Sequence, residues 1–299
     1  MSLLNTTSDG LPNVLAALCG VLLLEKGTVG EAELLSKVAP EHVVQDERKM
    51  VRQTLNRWSE LGLFKREDDT VSLTEYFPPL SAIKRRDVDA VIRHAVRKCA
   101  LAAENNANLW ATESAKAADL TRSLCLLLAQ DVYRTGINQL DALERRQVVN
   151  ADLRLIRNST RINGLKKWAH FLGFVRTPDG AEIDPTLAVR ESIGEWMAPG
   201  KTMVANAFLD HLASALPVLD GGAYRTAIEK KLNSESMFVP APGQVSTSLS
   251  RALLALHANG ELRFDTASDL VGGGMTLSGR DGVRPDLRFT HVMRTKDQA

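Results

Sequence analysis

The amino-acid sequence predicts a mostly α-helical protein with small β-hairpins. Aromatic residues make up only 5% of the 299 residues, which is untypical of an all-β chain. In addition, one order of elements recurs. Apolar residues at helical spacing end at a glycine, and two short apolar runs separated by a turn come next. Helices that lead into a hairpin in this order form a winged helix, a variant of the helix-turn-helix. We therefore predict three tandem winged-helix units plus a linking helix.

The clearest example of this order lies in residues 46–74. The apolar residues of its helix recur at helical spacing: Met50, Val51, Leu55, Trp58 and Leu61. Gly62 follows and can adopt the left-handed conformation that ends a helix. Residues 63–66 and 71–73 have the character of two strands, and the acidic residues 67–69 form the turn between them.

Proline and glycine clusters predict the boundaries between the units. Pro78-Pro79 ends the first unit, and a charged helix over residues 81–104 follows as the linking helix. A second hairpin is predicted to turn at residues 178–180. The predicted divisions are a winged-helix unit at 1–79, the linking helix and loop at 80–115, a second unit at 116–195, and a third, winged-helix-like unit with a flexible C-terminal tail at 196–299.

Composition restricts the possible classes of function. The net charge of +1 excludes a positive field over the whole molecule, so any contact with nucleic acid must come from local patches. Cys19, Cys99 and Cys125 lie far apart within apolar helical sequence, and we expect buried thiols in a reducing cytoplasm. The uncharged run at 14–24 is too short to span a bilayer, so we expect a cytoplasmic protein with no membrane partner.

The sequence lacks several common catalytic motifs. The histidines lack metal-ligand spacing, and the Gly-Lys-Thr at 200–202 lacks the earlier glycine and the preceding strand of a phosphate-binding loop. No Gly-x-Ser-x-Gly sequence occurs. We therefore expect a binding protein rather than an enzyme, with no cofactor and no metal, although a site assembled only in space is invisible in a sequence.

Two groups of polar residues are candidates for DNA binding. The helix before the first hairpin offers Lys49, Arg52, Gln53 and Asn56, whose side chains suit phosphates and base edges. Residues 143–167 carry seven basic and two acidic residues, a local net charge of +5. The candidates in this second group are Arg145, Arg146, Arg157, Thr160, Arg161, Asn163, Lys166 and Lys167. Residues 158–160 are expected to cap the helix that follows. The alternative is that both groups are ordinary solvated helix faces.

The helix before the third hairpin differs from the other two. It offers Gln244, Ser246, Thr247, Ser250 and Arg251, with little charge. This composition favours a protein-contact module over a DNA-binding helix.

The stretch from Ser2 to Leu15, SLLNTTSDGLPNVL, resembles the G component of the bacterial Dpd system, as do the chain length and the apolar first helix. That system inserts 7-deazaguanine bases into DNA and restricts DNA that lacks them. The resemblance implies an accessory role in defence against phage or other foreign DNA, beside other subunits of a complex. It supplies no catalytic residues.

These observations together predict a non-catalytic accessory protein that binds double-stranded DNA and a protein partner. Two alternatives stay open. Tandem winged helices also serve as protein adaptors, as in the kite-type subunits of SMC complexes, where a neutral net charge is acceptable. A transcriptional repressor is the third interpretation and would normally be a dimer on a palindrome, so a homo-oligomer is a further option.

Overall fold

A computed structural model describes residues 2–4, 11–40, 45–111, 116–156, 158–233, 239–266 and 274–295. The chain forms two compact units, here called lobes. The N-lobe comprises Met1–Leu120 and Asn158–Leu172, and the C-lobe comprises Thr121–Arg157 and Gly173–Ala299. Helices predominate and the sheets are small and antiparallel, so the predicted coarse fold class is confirmed. Among the described residues, no helix combines the length and the apolar composition needed to cross a bilayer.

The N-lobe opens with three helices and three strands. In chain order these are α1 (Pro12–Leu24), β1 (Thr28–Gly30), α2 (Glu31–Val38), α3 (Gln45–Glu60), β2 (Phe64–Glu67) and β3 (Thr70–Leu73). The strands form an antiparallel sheet in the order β1-β3-β2. Asp68 has a φ of +50° in the two-residue turn between β2 and β3. The predicted helix and hairpin of residues 46–74 are therefore confirmed, whereas β1, at three residues, is too short to show a sequence period.

The remaining helices of the N-lobe are α4 (Val88–Leu101), α5 (Ala103–Asn106), the first turn of α6 (Ala118–Leu128), and α8 (Ser159–Phe171). The prediction of one helix over 81–104 is wrong at its start. Two 3-10 turns, Leu80–Ala82 and Arg85–Asp87, come first, and the backbone between them is extended at Ile83. This path brings Leu80 against the end of α1, where its Cδ1 lies 3.3 Å from the position a Cβ on Gly27 would occupy.

The C-lobe contains the rest of α6 and a second small sheet. Its further elements are α7 (Leu140–Gln147), α9 (Thr186–Trp196), β4 (Thr202–Val204), α10 (Ala205–Ala215), α11 (Ala223–Glu229), α12 (Thr247–Ala258), β5 (Leu262–Asp265), β6 (Met275–Gly279), β7 (Gly282–Phe289) and β8 (His291–Arg294). Strands β4, β8 and β5 form an antiparallel sheet in that order, and β6 pairs with β7. The sequence pattern predicts a helix from residue 202, but Thr202–Val204 pair with β8 and the helix begins at Ala205.

The two three-stranded sheets have the same order of strands, although the β6–β7 pair lies between β5 and β8 in the chain. In each sheet, the last strand lies in the middle. On one side it pairs with a short strand that precedes a helix, and on the other side it pairs with the strand that follows a later helix. The predicted second hairpin is smaller: it has a single bridge between Val175 and Ile183, and a turn in which the Gly180 N–H donates to the Thr177 carbonyl at 3.0 Å. Its preceding helix, α8, belongs to the N-lobe, whereas the hairpin belongs to the C-lobe. The division into three winged-helix units at the stated boundaries stays a prediction.

Candidate nucleic-acid interface

Helix α3 has one buried and one exposed face. Leu55 and Trp58 are fully buried, and Lys49, Arg52 and Asn56 are exposed. Residues 49, 52 and 56 are three and four positions apart, so they share one face of the helix. Gln53 is half-buried beside them. Three of the four residues predicted for this helix thus lie together on a solvent-facing surface.

The C-terminal end of α3 is anchored by hydrogen bonds from α4 and α5. The carbonyl of Leu61 accepts hydrogen bonds from the Cys99 thiol at 3.2 Å and from Asn105 Nδ2 at 2.8 Å. Gly62 follows with a φ of +87°, the left-handed conformation that ends the helix before β2. The exposed face of α3 is therefore carried by a helix whose end is fixed in the core.

The hairpin contributes a cation that the sequence analysis did not single out. Arg66 of β2 donates from Nη1 to Asn56 Oδ1 at 2.7 Å, and its Nη2 forms an ion pair with Glu31 of α2. The acceptor oxygen of Asn56 is thus bound within the chain. A bidentate contact to adenine needs both the donor and the acceptor of the amide, so Asn56 would have to leave Arg66 to make one.

A surface depression of about 600 Å³ lies at the start of α3. Among the described residues it is lined by Asp46, Arg48, Lys49 and Arg52. These described residues supply three cations and one carboxylate, a net positive set that suits an anionic group such as a phosphate. Arg48 was not among the residues predicted from the sequence, although it lies four residues before Arg52 and thus on the same side of α3.

The second group of predicted residues is divided between the two lobes, and helix α8 carries the members that lie in the N-lobe. Asn163 and Lys167 are exposed, whereas Thr160, Arg161 and Lys166 are half-buried. The predicted cap is confirmed, because Asn158 Oδ1 accepts a hydrogen bond from the Arg161 backbone N–H at 3.2 Å. The other end of the helix is packed through Trp168, which is 3% exposed.

The charge of Arg161 acts on a buried carboxylate, Asp119. Asp119 is fully buried and accepts hydrogen bonds from the backbone N–H groups of Leu3 and Leu4 at 3.1 and 2.7 Å. Burial raises the pKa of Asp119, and these hydrogen bonds and the charge of Arg161 oppose the rise. Part of the positive charge predicted for DNA binding therefore also stabilises the carboxylate that anchors the N-terminal residues.

The remaining predicted cations belong to the C-lobe part of the chain. Arg145 and Arg146 of α7 are exposed, and Arg145 forms a two-point ion pair with Asp141 at 3.0 and 2.8 Å. Arg154 donates to the carbonyls of Val148 and Arg145, each at 3.1 Å. Arg157 lies outside the described residues. The segment 143–167 is thus divided between the two lobes, and its action as one positive field stays a prediction.

The polar residues predicted on α12 contact their own chain. Thr247 Oγ1 donates to the Gln130 carbonyl at 3.1 Å, and the neighbouring Ser248 Oγ donates to the Leu128 carbonyl at 2.8 Å. Arg251 donates to the Ile183 carbonyl at 2.7 Å and lies over the Tyr133 ring. Because the C-lobe itself covers these groups, α12 cannot present them to a groove in this arrangement.

The described part of the chain contains no cluster of three His, Cys, Asp or Glu side chains able to hold a metal ion. Cys19, Cys99 and Cys125 are free and buried, as predicted. Burial raises the pKa of each thiol far above its ordinary value, so none is a reactive thiolate at neutral pH.

Comparison with known proteins gives a family match. A family model described as DpdG-like matches residues 1–270, which include the whole N-lobe and the C-lobe through β5. No curated protein and no solved structure matches the chain.

Proposed function

We propose that this chain, which belongs to the DpdG-like family, is a non-catalytic DNA-binding accessory protein of its Dpd DNA-modification system. Family membership makes the chain a component of a Dpd system, whose work it shares with other subunits. The observation that carries the DNA-binding proposal is the exposed polar face of α3, on a helix followed directly by the β2–β3 hairpin.

The connectivity of the N-lobe supports the assignment of α3 as the DNA-contacting helix. The order α1, β1, α2, α3, β2, β3, with strands arranged β1-β3-β2, is the order expected of a winged helix, whose third helix enters the major groove. In that placement Lys49 and Arg52 meet phosphates or guanine edges, and the cations of β2 lie beside the sugar-phosphate backbone.

The C-lobe has a different role in this proposal. Its sheet repeats the strand order of the N-lobe sheet, but the polar face of α12 is occupied by its own chain. We therefore assign DNA contact to the N-lobe and a structural role within the C-lobe to α12.

A salt-dependent titration of double-stranded DNA tests the proposal. Each phosphate contact contributes about 0.9 to the slope of log affinity against log salt, so Lys49→Ala with Arg52→Ala should make the slope shallower by about 1.8. The matched control is Lys201→Ala with Lys230→Ala, which removes two C-lobe cations and should leave the slope unchanged. Asn56→Ala should alter the preference between DNA sequences more than the slope.

Two results would overturn this function. If the wild-type chain has no measurable affinity for duplex DNA at low salt, the adaptor interpretation replaces DNA binding. If the isolated chain hydrolyses ATP or cleaves DNA with a divalent metal, and a point substitution in this chain abolishes that activity, then the non-catalytic part is wrong.

A further inference from the structure

An apolar depression lies on the N-lobe where the end of α1 meets the segment that leads into α4. Its volume is about 440 Å³. Gly20, Leu23 and Leu24 of α1 form one side, and Leu80, Ile83 and Val88 form the other. We call this surface the α1 groove. It shares no residue with the proposed DNA-contacting face of α3.

The apolar side chains around the α1 groove are only partly buried by the rest of the chain. Helix α1 is apolar on all sides, a composition normally found in a helix buried all round. Leu15, Leu18 and Leu22 are indeed fully buried, but Leu24 is 83% exposed and Leu80 is 38% exposed. A surface helix facing only water would carry polar residues at these positions.

Gly20 provides a second, independent observation. It lies in the middle of α1, where glycine destabilises a helix relative to alanine. A Cβ placed on Gly20 would meet no atom of the described residues within 4 Å, so their packing does not require a glycine there. An unexplained helical glycine at the floor of an apolar groove leaves space for the close approach of another chain.

The border of the groove is positively charged. Arg85 lines the groove, Lys84 is its exposed neighbour in the chain, and Lys26 is exposed two residues after Leu24. None of the three forms an ion pair with another described residue, whereas the adjacent Arg86 pairs with Asp87 at 3.7 Å. A binding partner that fills the groove and neutralises these cations has an apolar face flanked by carboxylates.

We propose that the α1 groove binds an amphipathic helix with acidic flanks from another subunit of the same Dpd system. Its apolar side chains fill the depression beside Leu24 and Leu80, and its backbone approaches α1 over Gly20, in the manner of a helix laid in an apolar groove. Its carboxylates face Lys84 and Arg85. This interaction goes beyond DNA binding and does not depend on it.

The test measures the affinity of the full-length chain for each of the other Dpd subunits encoded with it, purified separately. Gly20→Leu fills the floor of the groove, Leu24→Gln removes apolar surface, and Lys84→Glu with Arg85→Glu reverses the border. Each should weaken binding to one subunit by about tenfold or more, the effect of losing a central contact. Reversing the acidic flank of that subunit should restore binding to the Lys84→Glu/Arg85→Glu variant.

The chain offers matched controls for these variants. Gly194 also lies in a helix where an added Cβ would meet no atom of the described part of the chain within 4 Å. Val149 is also an exposed apolar residue, at 76%. Gly194→Leu and Val149→Gln should therefore leave subunit binding unchanged. Gly20→Leu should melt no lower than wild type, because leucine is the better helix former, and it should bind DNA like wild type.

Several outcomes would overturn the proposal. One is that no subunit binds, and another is that binding survives Gly20→Leu. Self-association abolished by Leu24→Gln in sedimentation would assign the groove to a second copy of the chain. Binding to vesicles of anionic phospholipid that Gly20→Leu abolishes would assign the groove to a membrane surface instead.

Discussion

The indole rings of Trp58 and Trp168 pack against each other in the N-lobe, with centroids 5.2 Å apart and planes tilted by 47°. Trp58 belongs to α3 and Trp168 to α8, the two N-lobe helices that carry exposed predicted DNA-contacting residues. In the sequence the two tryptophans occupy similar places, four and five residues before a glycine, which predicts separate units for them. In the fold they belong to one core, which fixes α3 and α8 in the same lobe.

Removal of one of these rings should destabilise the N-lobe strongly. Trp168 is 3% exposed, and Trp168→Ala should lower the free energy of unfolding by about 3–5 kcal/mol, the usual result of such a truncation in a core. Its neighbour Lys167 is exposed, so Lys167→Ala should change the free energy of unfolding by no more than about 0.5 kcal/mol. Urea unfolding measures both. Equal effects of the two substitutions would contradict the packed position of Trp168.

The cations of α8 should contribute to DNA affinity without reading sequence. If Arg161, Lys166 and Lys167 each contact one phosphate, changing all three to Ala should make the salt slope shallower by about 2–3. Affinity should fall about equally on unrelated sequences, because phosphate contacts carry no base information. The Lys166→Ala/Lys167→Ala double variant separates this effect from the interaction of Arg161 with Asp119.

A triple variant that folds like wild type and keeps both its affinity and its salt slope would leave α8 as a bracing helix. If the α3 variants also keep their DNA affinity and salt slope, the adaptor interpretation becomes the better one.

Asp184 should make the stability of the C-lobe depend on pH. Burial by itself raises the pKa of Asp184, but hydrogen bonds from Thr186 and the guanidinium of Arg176 outweigh it and hold the pKa below its ordinary value. A folded-state pKa below the unfolded one stabilises the protein above the unfolded pKa, and this stability is lost as the pH falls through the folded pKa.

The free energy of unfolding, measured from pH 7 down to pH 3, checks this expectation. Asp184→Asn should be less stable than wild type at pH 7, and the difference should shrink below about pH 4, where the unfolded carboxyl becomes protonated. If the free energies of unfolding of wild type and Asp184→Asn change in parallel with pH, the charge of Asp184 does not stabilise the fold.

The three thiols should be unreactive until the protein unfolds. All three are buried, and Cys99 also donates to the Leu61 carbonyl. Ellman's reagent should therefore modify the native protein far more slowly than the protein in guanidinium chloride, where all three cysteines react. Lys167→Cys places a thiol at an exposed position and serves as the positive control. Rapid reaction of a wild-type thiol would show that the surrounding core opens readily.

The sequence by itself determined the elements whose information is local. The apolar spacing of α3, the glycine after it and the acidic turn of the β2–β3 hairpin all lie within one short stretch, and their positions were predicted to within one or two residues. The buried state of the cysteines followed in the same way, because each lies within apolar helical sequence. Such features depend on backbone propensity and side-chain period, which act between near neighbours.

Only the tertiary structure decided which of the predicted surfaces remain available. Strands β1 and β4 exist because they pair with strands far along the chain, and three residues carry no detectable period. Ser246, Thr247 and Arg251 have the composition of an exposed polar face, yet their side chains donate to a carboxylate and to carbonyls elsewhere in the C-lobe. Hydrogen-bonding capacity is a property of the side chain, but its partner is supplied by the fold, so sequence alone cannot distinguish a satisfied donor from one offered to DNA.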